Sequence, residues 1–459
     1  MNSTELYRTI WRWHFYAGLF VIPLILILAT TGAIYLFKPQ LDRWEERAFQ
    51  DLSEAHEVSA NLQLDAAMKA FPGAIFQSYR LPERSGDAAV IRLALRDGHS
   101  MQDVFVSPQG KVLGSLDPKY RIQKIVQDIH SQLLLGHRGS WLVELAASWA
   151  IVMIMTGLYL WWPAKEAGGM RGLAGVVWPR MGKGNSVFLR DLHAVTGFWV
   201  AGLAMILLLS GLPWTDVWGK AFKGVREEMG WVIGKQDWTI GGRAPDAAGE
   251  HGEHDHAAMM KAQSAGQAMT SLADVVARAE GEHLAFPVII TPPGTPQRMG
   301  AKADMTWTVR SDAQNRPLRA TVKYDMATGK QLTRESFEDK HVIDQVIGYG
   351  VAWHEGHLFG WINQLIGLLT ALMLITLAVS GFLMWRKRKP EGALGAPPFP
   401  RERRKGKLIP VILLLAAFLP MLAASLILML LFDRLILPRI PTLANWLGCR
   451  PNLIMGHAD

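Results

Sequence analysis

Four histidines stand at matched positions beside long apolar segments of the chain. His14 and His193 each precede one glycine by four residues and another by eighteen, in WHFYAGLFVIPLILILATTG and LHAVTGFWVAGLAMILLLSG. His130 and His354 each precede one glycine by six residues and another by 27. Ionisable residues beside a membrane are costly and usually functional, and imidazole is a common metal ligand. The matched pairs therefore favour metal ligands over the alternative, which is interfacial residues hydrogen-bonded to lipid headgroups.

Two imidazoles on facing helices can bind one haem iron from opposite sides, and helix bundles often hold cofactors in this way. The glycines four and eighteen residues after His14 and His193 share the helix face of their histidine, because eighteen residues make five whole turns. Such a face lets a porphyrin approach closely, or equally another helix. These face-sharing glycines are Gly18, Gly32, Gly197 and Gly211. The repeat predicts that His14 pairs with His193 and that His130 pairs with His354.

The apolar segments are long enough to cross a membrane. A bilayer core of about 30 Å needs about 20 apolar residues in a helix, and half of the 459 residues are hydrophobic. We therefore expect an α-helical integral membrane protein with five transmembrane helices. Their predicted ranges are Phe15–Phe37, Trp141–Trp162, Ala194–Trp214, Trp361–Trp385 and Leu408–Phe432.

The positive charge is concentrated beside these segments. Nine Lys or Arg side chains fall within 386–407, five within 163–190, and Arg8 and Arg12 precede the first segment. Loops rich in Lys and Arg stay in the cytoplasm, so the N-terminus is predicted inside and the tail after Phe432 outside. Because each basic run adjoins a span, the charge does not indicate nucleic-acid binding. A bacterial inner membrane, crossed several times, is the expected location.

Two polar regions, about Lys38–Ile129 and Thr215–Val351, are predicted to face outwards as small α+β domains. Each combines an amphipathic helix with strand-like segments, the last of which form the hairpins DVFVSPQGKVLG and RATVKYDMATGKQLT. The chain is thus interpreted as a duplicated unit of span, outer domain and span, followed by a fifth span. The predicted divisions are 1–37, 38–129, 130–162, 163–192, 193–214, 215–351, 352–385, 386–407, 408–432 and 433–459.

Other histidines could also bind a metal. His137 and His357 lie near the second pair but at non-equivalent positions, which disfavours them as ligands. The insert GEHGEHDHAAMM, 249–260, carries His251, His254 and His256 among acidic residues. Such tracts can bind Zn, Cu or Ni, although most are solvated loops.

The segments HSQLLLGHRGSWLVELAASWAIVMIMTGLYLWWP and HEGHLFGWINQLIGLLTALMLITLAVSGFLMWRKR resemble the PepSY-associated transmembrane helix family. The hairpin sequences VFVSPQGKVL and VKYDMATGKQL are similar to PepSY-type domains. The resemblance covers nearly the whole chain up to about Lys389. The family includes siderophore reductases of the inner membrane with two b-type haems, which act on ferric siderophore in the periplasm. The resemblance thus implies haem b bound by His14, His130, His193 and His354.

The leading hypothesis is therefore a reductase of ferric siderophore or another ferric chelate in the periplasm. The chain has no G-x-G-x-x-G dinucleotide fingerprint, so a quinol or a separate reductase is expected as the electron donor. The alternative is a membrane-anchored PepSY-type module that restrains a periplasmic protease or partner without redox activity. A metal transporter is a third hypothesis, disfavoured because the spans contain Glu144 as their one acidic residue.

Overall fold

The computed structural model describes residues 3–97, 100–162, 174–231, 270–295, 304–398 and 408–448. The chain divides into two compact units. The first, called the helical unit, comprises Met1–Leu36, Asp128–Met229 and Gln364–Asp459. The second, called the sheet unit, comprises Phe37–Gln127 and Gly230–Asn363. His251, His254 and His256 lie outside the described residues.

Helices dominate the described part of the chain. In chain order they are α1 Ser3–Tyr35, α2 Lys38–Glu45, α3 Ala60–Ala70, α4 Ile122–Gln132, α5 His137–Trp161, α6 Asn185–Gly211, α7 Asp216–Glu228, α8 Leu272–Gly281, α9 Val342–His354, α10 Trp361–Arg388, α11 Ile409–Phe418, α12 Pro420–Leu431 and α13 Pro441–Trp446.

Within the described residues, five helical stretches are long and apolar enough to cross a membrane. They are Glu5–Tyr35, His137–Trp161, Asn185–Trp214, Trp361–Arg388 and Pro420–Arg439. This confirms a multi-pass membrane protein with five candidate spans. At most of their ends, the first four stretches agree with the predicted ranges to within a few residues. The fifth stretch begins and ends at other residues than predicted.

The predicted fifth span, Leu408–Phe432, is divided into two helices at Leu419. Pro420 removes a backbone N–H and clashes with the preceding turn, and it drives the residue before it out of helical geometry. Leu419 accordingly has φ −119° and ψ 89°. The carbonyl of Phe418 accepts from Trp218 Nε1 at 2.9 Å, and Ser425 Oγ accepts from Trp149 Nε1 at 3.2 Å. The break is therefore packed within the helical unit.

The tail contacts the N-terminal end of α1, whereas the sequence predicted the tail and the N-terminus on opposite sides of the membrane. Tyr16 Oη donates to the carbonyl of Leu447 at 2.6 Å. Arg12 donates through Nη2 to the carbonyl of Gly448 at 2.7 Å and through Nη1 to the carbonyl of Pro397 at 2.5 Å. One buried guanidinium thus joins α1 to both the loop after α10 and the tail.

Eight antiparallel strands form one sheet in the sheet unit, in the order β4-β3-β2-β1-β5-β6-β7-β8. They are β1 Ile75–Arg80, β2 Ala89–Ala94, β3 Met101–Val106, β4 Val112–Leu116, β5 Val288–Thr291, β6 Thr306–Ser311, β7 Ala320–Asp325 and β8 Gln331–Ser336. The strand-like segments of both polar regions are confirmed as strands. The interpretation as two separate small domains is corrected, because the pairing of Tyr79 with Ile290 joins both sets of strands.

The larger apolar core of the sheet unit lies on one face of this sheet, and a smaller apolar cluster lies on the other. Alternate residues of each strand point to the same face, and the fully buried Ile91, Val104 and Val309 belong to this core with residues of α3 and α8. Helix α8 begins with a capping box between Ser271 and Asp274, which satisfies free N–H groups of its first turn. The capping box therefore fixes the residue at which α8 begins, and with it the helix face that packs on the sheet.

A buried ionic cluster ties α2 to the chain that leads into α4. Glu46 accepts from Arg80 Nη2 at 2.6 Å and from Arg121 Nη1 at 2.5 Å. Arg121 Nε also donates to Glu45 at 3.2 Å, whose second oxygen accepts from the Ile122 backbone N–H at 3.0 Å. The start of α4, the helix that carries His130, is therefore held by two adjacent carboxylates.

We expect the contribution of this cluster to the stability of the fold to fall at acid pH. Burial acts to raise the pKa of Glu46, but the guanidinium groups of Arg80 and Arg121 outweigh it and hold that pKa below its usual value. A lowered folded pKa contributes stability above the unfolded value of about 4.3, and this is lost as pH falls through the folded value. Glu46→Gln should cost about 1–3 kcal/mol at neutral pH and flatten the acid limb of a thermal unfolding series. The exposed Glu335→Gln is the matched control, and an equal loss of stability in both variants would contradict the prediction.

Candidate functional site

His14 of α1 and His193 of α6 face each other inside the helical unit. Their ring centroids are 6.5 Å apart and the ring planes are nearly perpendicular, at 86°. An imidazole nitrogen binds a transition metal at about 2.0–2.1 Å and lies about 1.1 Å from its ring centre, so two imidazoles on opposite sides of one metal have centroids about 6.3 Å apart. The spacing of this pair therefore fits two ligands of a single metal ion. The predicted pairing of His14 with His193 is a contact in the structure.

A threonine of α5 fixes the tautomer of His14. His14 Nδ1 lies 3.0 Å from Thr156 Oγ1, and that hydroxyl donates its own proton to the carbonyl of Val152 at 2.7 Å. Since the hydroxyl proton is committed, Thr156 accepts and His14 Nδ1 donates. The carbonyl of Met153 is a further backbone partner of the ring. His14 therefore carries its proton on Nδ1 and presents the lone pair of Nε2.

A serine and a carbonyl of α10 fix His193 in the same way. His193 Nδ1 lies 3.0 Å from Ser380 Oγ and 3.1 Å from the carbonyl of Leu377. A carbonyl oxygen can only accept, so Nδ1 must be protonated. Histidines that bind metals commonly donate their other ring N–H to a neighbouring acceptor, which sets the ring orientation and makes the ligand more basic. His14 and His193 both have this arrangement.

His130 makes an equivalent contact with α1. His130 Nδ1 lies 3.0 Å from Thr31 Oγ1, whose hydroxyl donates to the carbonyl of Ile27 at 2.8 Å. Helix α1 therefore both supplies and receives a histidine: His14 near one end contacts Thr156 of α5, and Thr31 near the other end contacts His130 of α4. His130 Nδ1 thus donates to Thr31 as His14 Nδ1 donates to Thr156.

A glycine follows each of these hydroxyl residues and lies against the imidazole. A Cβ at Gly157 would come within 3.2 Å of His14 Cε1, one at Gly381 within 3.3 Å of His193 Cε1, and one at Gly32 within 3.2 Å of His130 Cε1. These distances are tighter than ordinary contacts, so glycine lets each ring rest on the helix backbone. We call each such hydroxyl–glycine pair a histidine seat. The three seats are Thr31–Gly32, Thr156–Gly157 and Ser380–Gly381.

The glycine one turn after His14 and the one after His193 each face a side chain of a neighbouring helix. Gly18 faces the side chain of Met153 and Gly197 faces that of Leu377, and a Cβ added at either glycine would lie at an ordinary contact distance of 3.5 Å from that side chain. Met153 and Leu377 each stand three residues before the hydroxyl of the seat. Gly18 and Gly197 therefore lie where two helices pack, one turn from the seat of their histidine. Of the two uses left open for the glycines, helix packing accounts for these two, and Gly32 accommodates His130.

Three functional residues were missed by sequence reasoning, namely Thr31, Thr156 and Ser380. A signal for them exists, since each directly precedes a glycine that the repeat had already marked. Their role depends on which helix packs opposite, and spacing within one segment does not contain that information.

The remaining histidines have other surroundings. His354 is the last residue of α9 and belongs to the sheet unit, whereas His130 belongs to the helical unit, so their pairing stays a prediction. His137 is exposed and its Nδ1 lies 3.2 Å from Asp216 Oδ1, beside Trp141 Nε1, which donates to the same carboxylate at 2.9 Å. His137 is thus paired with the first residue of α7. Burial lowers the pKa of His357.

The start of α6 is anchored two residues before His193. The buried carboxylate of Asp191 accepts from Arg180 through Nε at 2.7 Å and Nη2 at 2.8 Å. Arg190 Nη2 donates to the same carboxylate at 2.8 Å. A bidentate guanidinium–carboxylate pair adds geometric specificity as well as energy. This network holds the first turns of α6, and with them the position of His193.

Comparison with known proteins gives one finding. A family model described as a PepSY-associated TM region matches residues 11–388. None of the curated proteins matches the chain. The matched range contains all four histidines of the repeat and all three seats.

Proposed function

Because the chain belongs to the family of PepSY-associated TM regions, we propose that it is a haem-carrying membrane oxidoreductase that reduces ferric siderophore or another ferric chelate. The observation that carries the proposal is the pair of imidazoles 6.5 Å apart, each with its Nδ1 proton donated to a neighbouring helix. This donor set fits an iron that takes one nitrogen from each side. Haem b is the proposed group, and His14 and His193 would be its axial ligands.

Two pairs of helices position the two proposed ligands. A bound haem supplies a carrier of single electrons. Helix α5 orients His14 through Thr156, and α10 orients His193 through Ser380 and Leu377, so each ligand is fixed by one helix and faces the other histidine. Apolar side chains of the spans exclude water from the site, which strengthens electrostatic interactions there. Such a rigid site favours electron transfer because its ligands need not move between oxidation states.

The sequence repeat extends the proposal to a second haem b with His130 and His354 as ligands. Two haems at different depths would carry electrons from the cytoplasmic side of an inner membrane to the periplasm. A quinol or a separate reductase would deliver the electrons. The sheet unit would then lie in the periplasm, where reduction of Fe(III) weakens its binding by hard oxygen ligands and releases iron.

A second candidate function is a binding module that restrains a periplasmic protease or another partner. Strand β8 favours it, because this edge strand is exposed along Gln331–Glu335 and an edge strand can pair with an added peptide. In that function the histidines need no cofactor.

One experiment separates the two functions. The protein is expressed with adequate haem supply and purified in detergent, and its reduced-minus-oxidised absorption spectrum is recorded. We expect the bands of low-spin b-type haem, and addition of a ferric chelate to the reduced protein should reoxidise them. A purified, monodisperse protein without haem bands would exclude the reductase and leave the binding module.

A further inference from the structure

We propose that Thr156 and Ser380 are positioning residues that set the donor strength of His14 and His193 and so lower the midpoint potential of the centre these histidines bind. The inference rests on the proposed function and deepens it. Each hydroxyl contacts Nδ1 of its imidazole, so both would act through the imidazole.

The hydroxyls of Thr156 and Ser380 each donate a hydrogen bond to a carbonyl of their own helix. Thr156 donates to Val152 at 2.7 Å and Ser380 donates to Leu377 at 3.2 Å. Each hydroxyl is therefore polarised by a backbone carbonyl of its own helix, and its oxygen becomes a better acceptor for the imidazole N–H. The preceding turn of the same helix supplies the carbonyl in both cases.

The acceptor of the imidazole N–H affects the iron that the imidazole would bind. An imidazole whose N–H is donated to a strong acceptor gains anionic character and becomes a more basic ligand. A more basic ligand stabilises Fe(III) relative to Fe(II), and hydrogen bonding beyond the ligands is one of the levers by which proteins tune haem potentials. Loss of the hydroxyl should therefore raise the midpoint potential.

Each seat also offers a backbone carbonyl to its imidazole. The carbonyl of Leu377 lies 3.1 Å from His193 Nδ1, and the carbonyl of Met153 is a backbone partner of His14. Removal of either hydroxyl is therefore expected to weaken the acceptor of the imidazole N–H and to shift the potential in the same direction.

The test is a potentiometric titration of the purified, haem-loaded protein. Thr156→Val keeps the branched shape of the side chain, and we expect a positive shift of one midpoint potential with the other unchanged. Thr156→Ser should return the potential to that of the wild type. Ser380→Ala should shift the same centre in the same direction. Thr376→Val is the matched control, because that hydroxyl is exposed and donates within α10 to Leu372.

The outcomes separate this inference from the proposed function. A wild-type protein without haem would overturn both. A haem-loaded Thr156→Val protein with unchanged potentials would overturn the inference alone. If Thr156→Val cannot be loaded, Ser380→Ala decides, and an unshifted potential there would overturn the inference. Thr31→Val should shift the other centre, and a shift of the same centre would also contradict the assignment.

Discussion

Replacement of His193 by alanine is expected to remove one haem and leave the other spectrally intact. The imidazole of His193 lies 6.5 Å from that of His14, and an iron that loses one of two protein ligands in this pair loses both binding energy and its low-spin state. Haem content, measured per chain by pyridine haemochromogen assay, should fall by about half, on the basis of one centre per histidine pair. His14→Ala should give the same spectrum, because both variants disrupt the same centre.

His137→Ala is the control for the histidine substitutions. His137 is 61% exposed and pairs with Asp216, so its loss should leave both haems in place. Loss of both centres in His193→Ala or His14→Ala, with a normally folded protein, would contradict the pairing. Different spectra for His14→Ala and His193→Ala would show that these two histidines bind different irons.

The second large effect is expected from Gly139→Ala, which should remove the centre that contains His130. A Cβ at Gly139 would lie 1.6 Å from the carbonyl oxygen of Gln132 and 2.4 Å from its carbon. These are backbone atoms of the last residue of α4, and they cannot yield as a flexible side chain would. The turn between α4 and α5 must therefore open, which moves His130 away from Thr31.

The strain at this turn is already high, because Leu133 and Leu134 have φ of 51° and 59°, in the left-handed region that side chains with a Cβ rarely adopt. Haem content and the spectrum of Gly139→Ala are compared with those of Gly202→Ala, since a Cβ at Gly202 meets no atom within 4 Å. Selective loss of one centre is expected in the first variant and no loss in the second. An unchanged spectrum in Gly139→Ala would contradict the prediction.

The sequence predicted the features that depend on local pattern. Long apolar runs predicted the first four spans, and alternating apolar residues predicted the strands that the structure contains. The pairing of His14 with His193 followed from matched spacing, since equal distances along two helices place residues at equal depth. The contact between their rings agrees with that prediction.

The sequence could not predict features that depend on which distant segments meet. The single sheet requires Tyr79 to pair with Ile290, and strand patterns are the same for one sheet or two. The seats require knowledge of the helix opposite Thr156 or Ser380. The break at Leu419 could have been inferred from Pro420, but the return of the tail to Arg12 could not.

The contact between Arg12 and Gly448 also has a consequence for the order of events during synthesis. The two residues are separated by 436 positions, so the guanidinium must remain without this carbonyl until almost all of the described chain has left the ribosome. The helix that carries His14 is made early, whereas the segment that contacts its N-terminal end is made after all five candidate spans. We therefore expect a protease to cleave this end of α1 in nascent chains arrested before Ile440, and longer chains that include Gly448 to protect it.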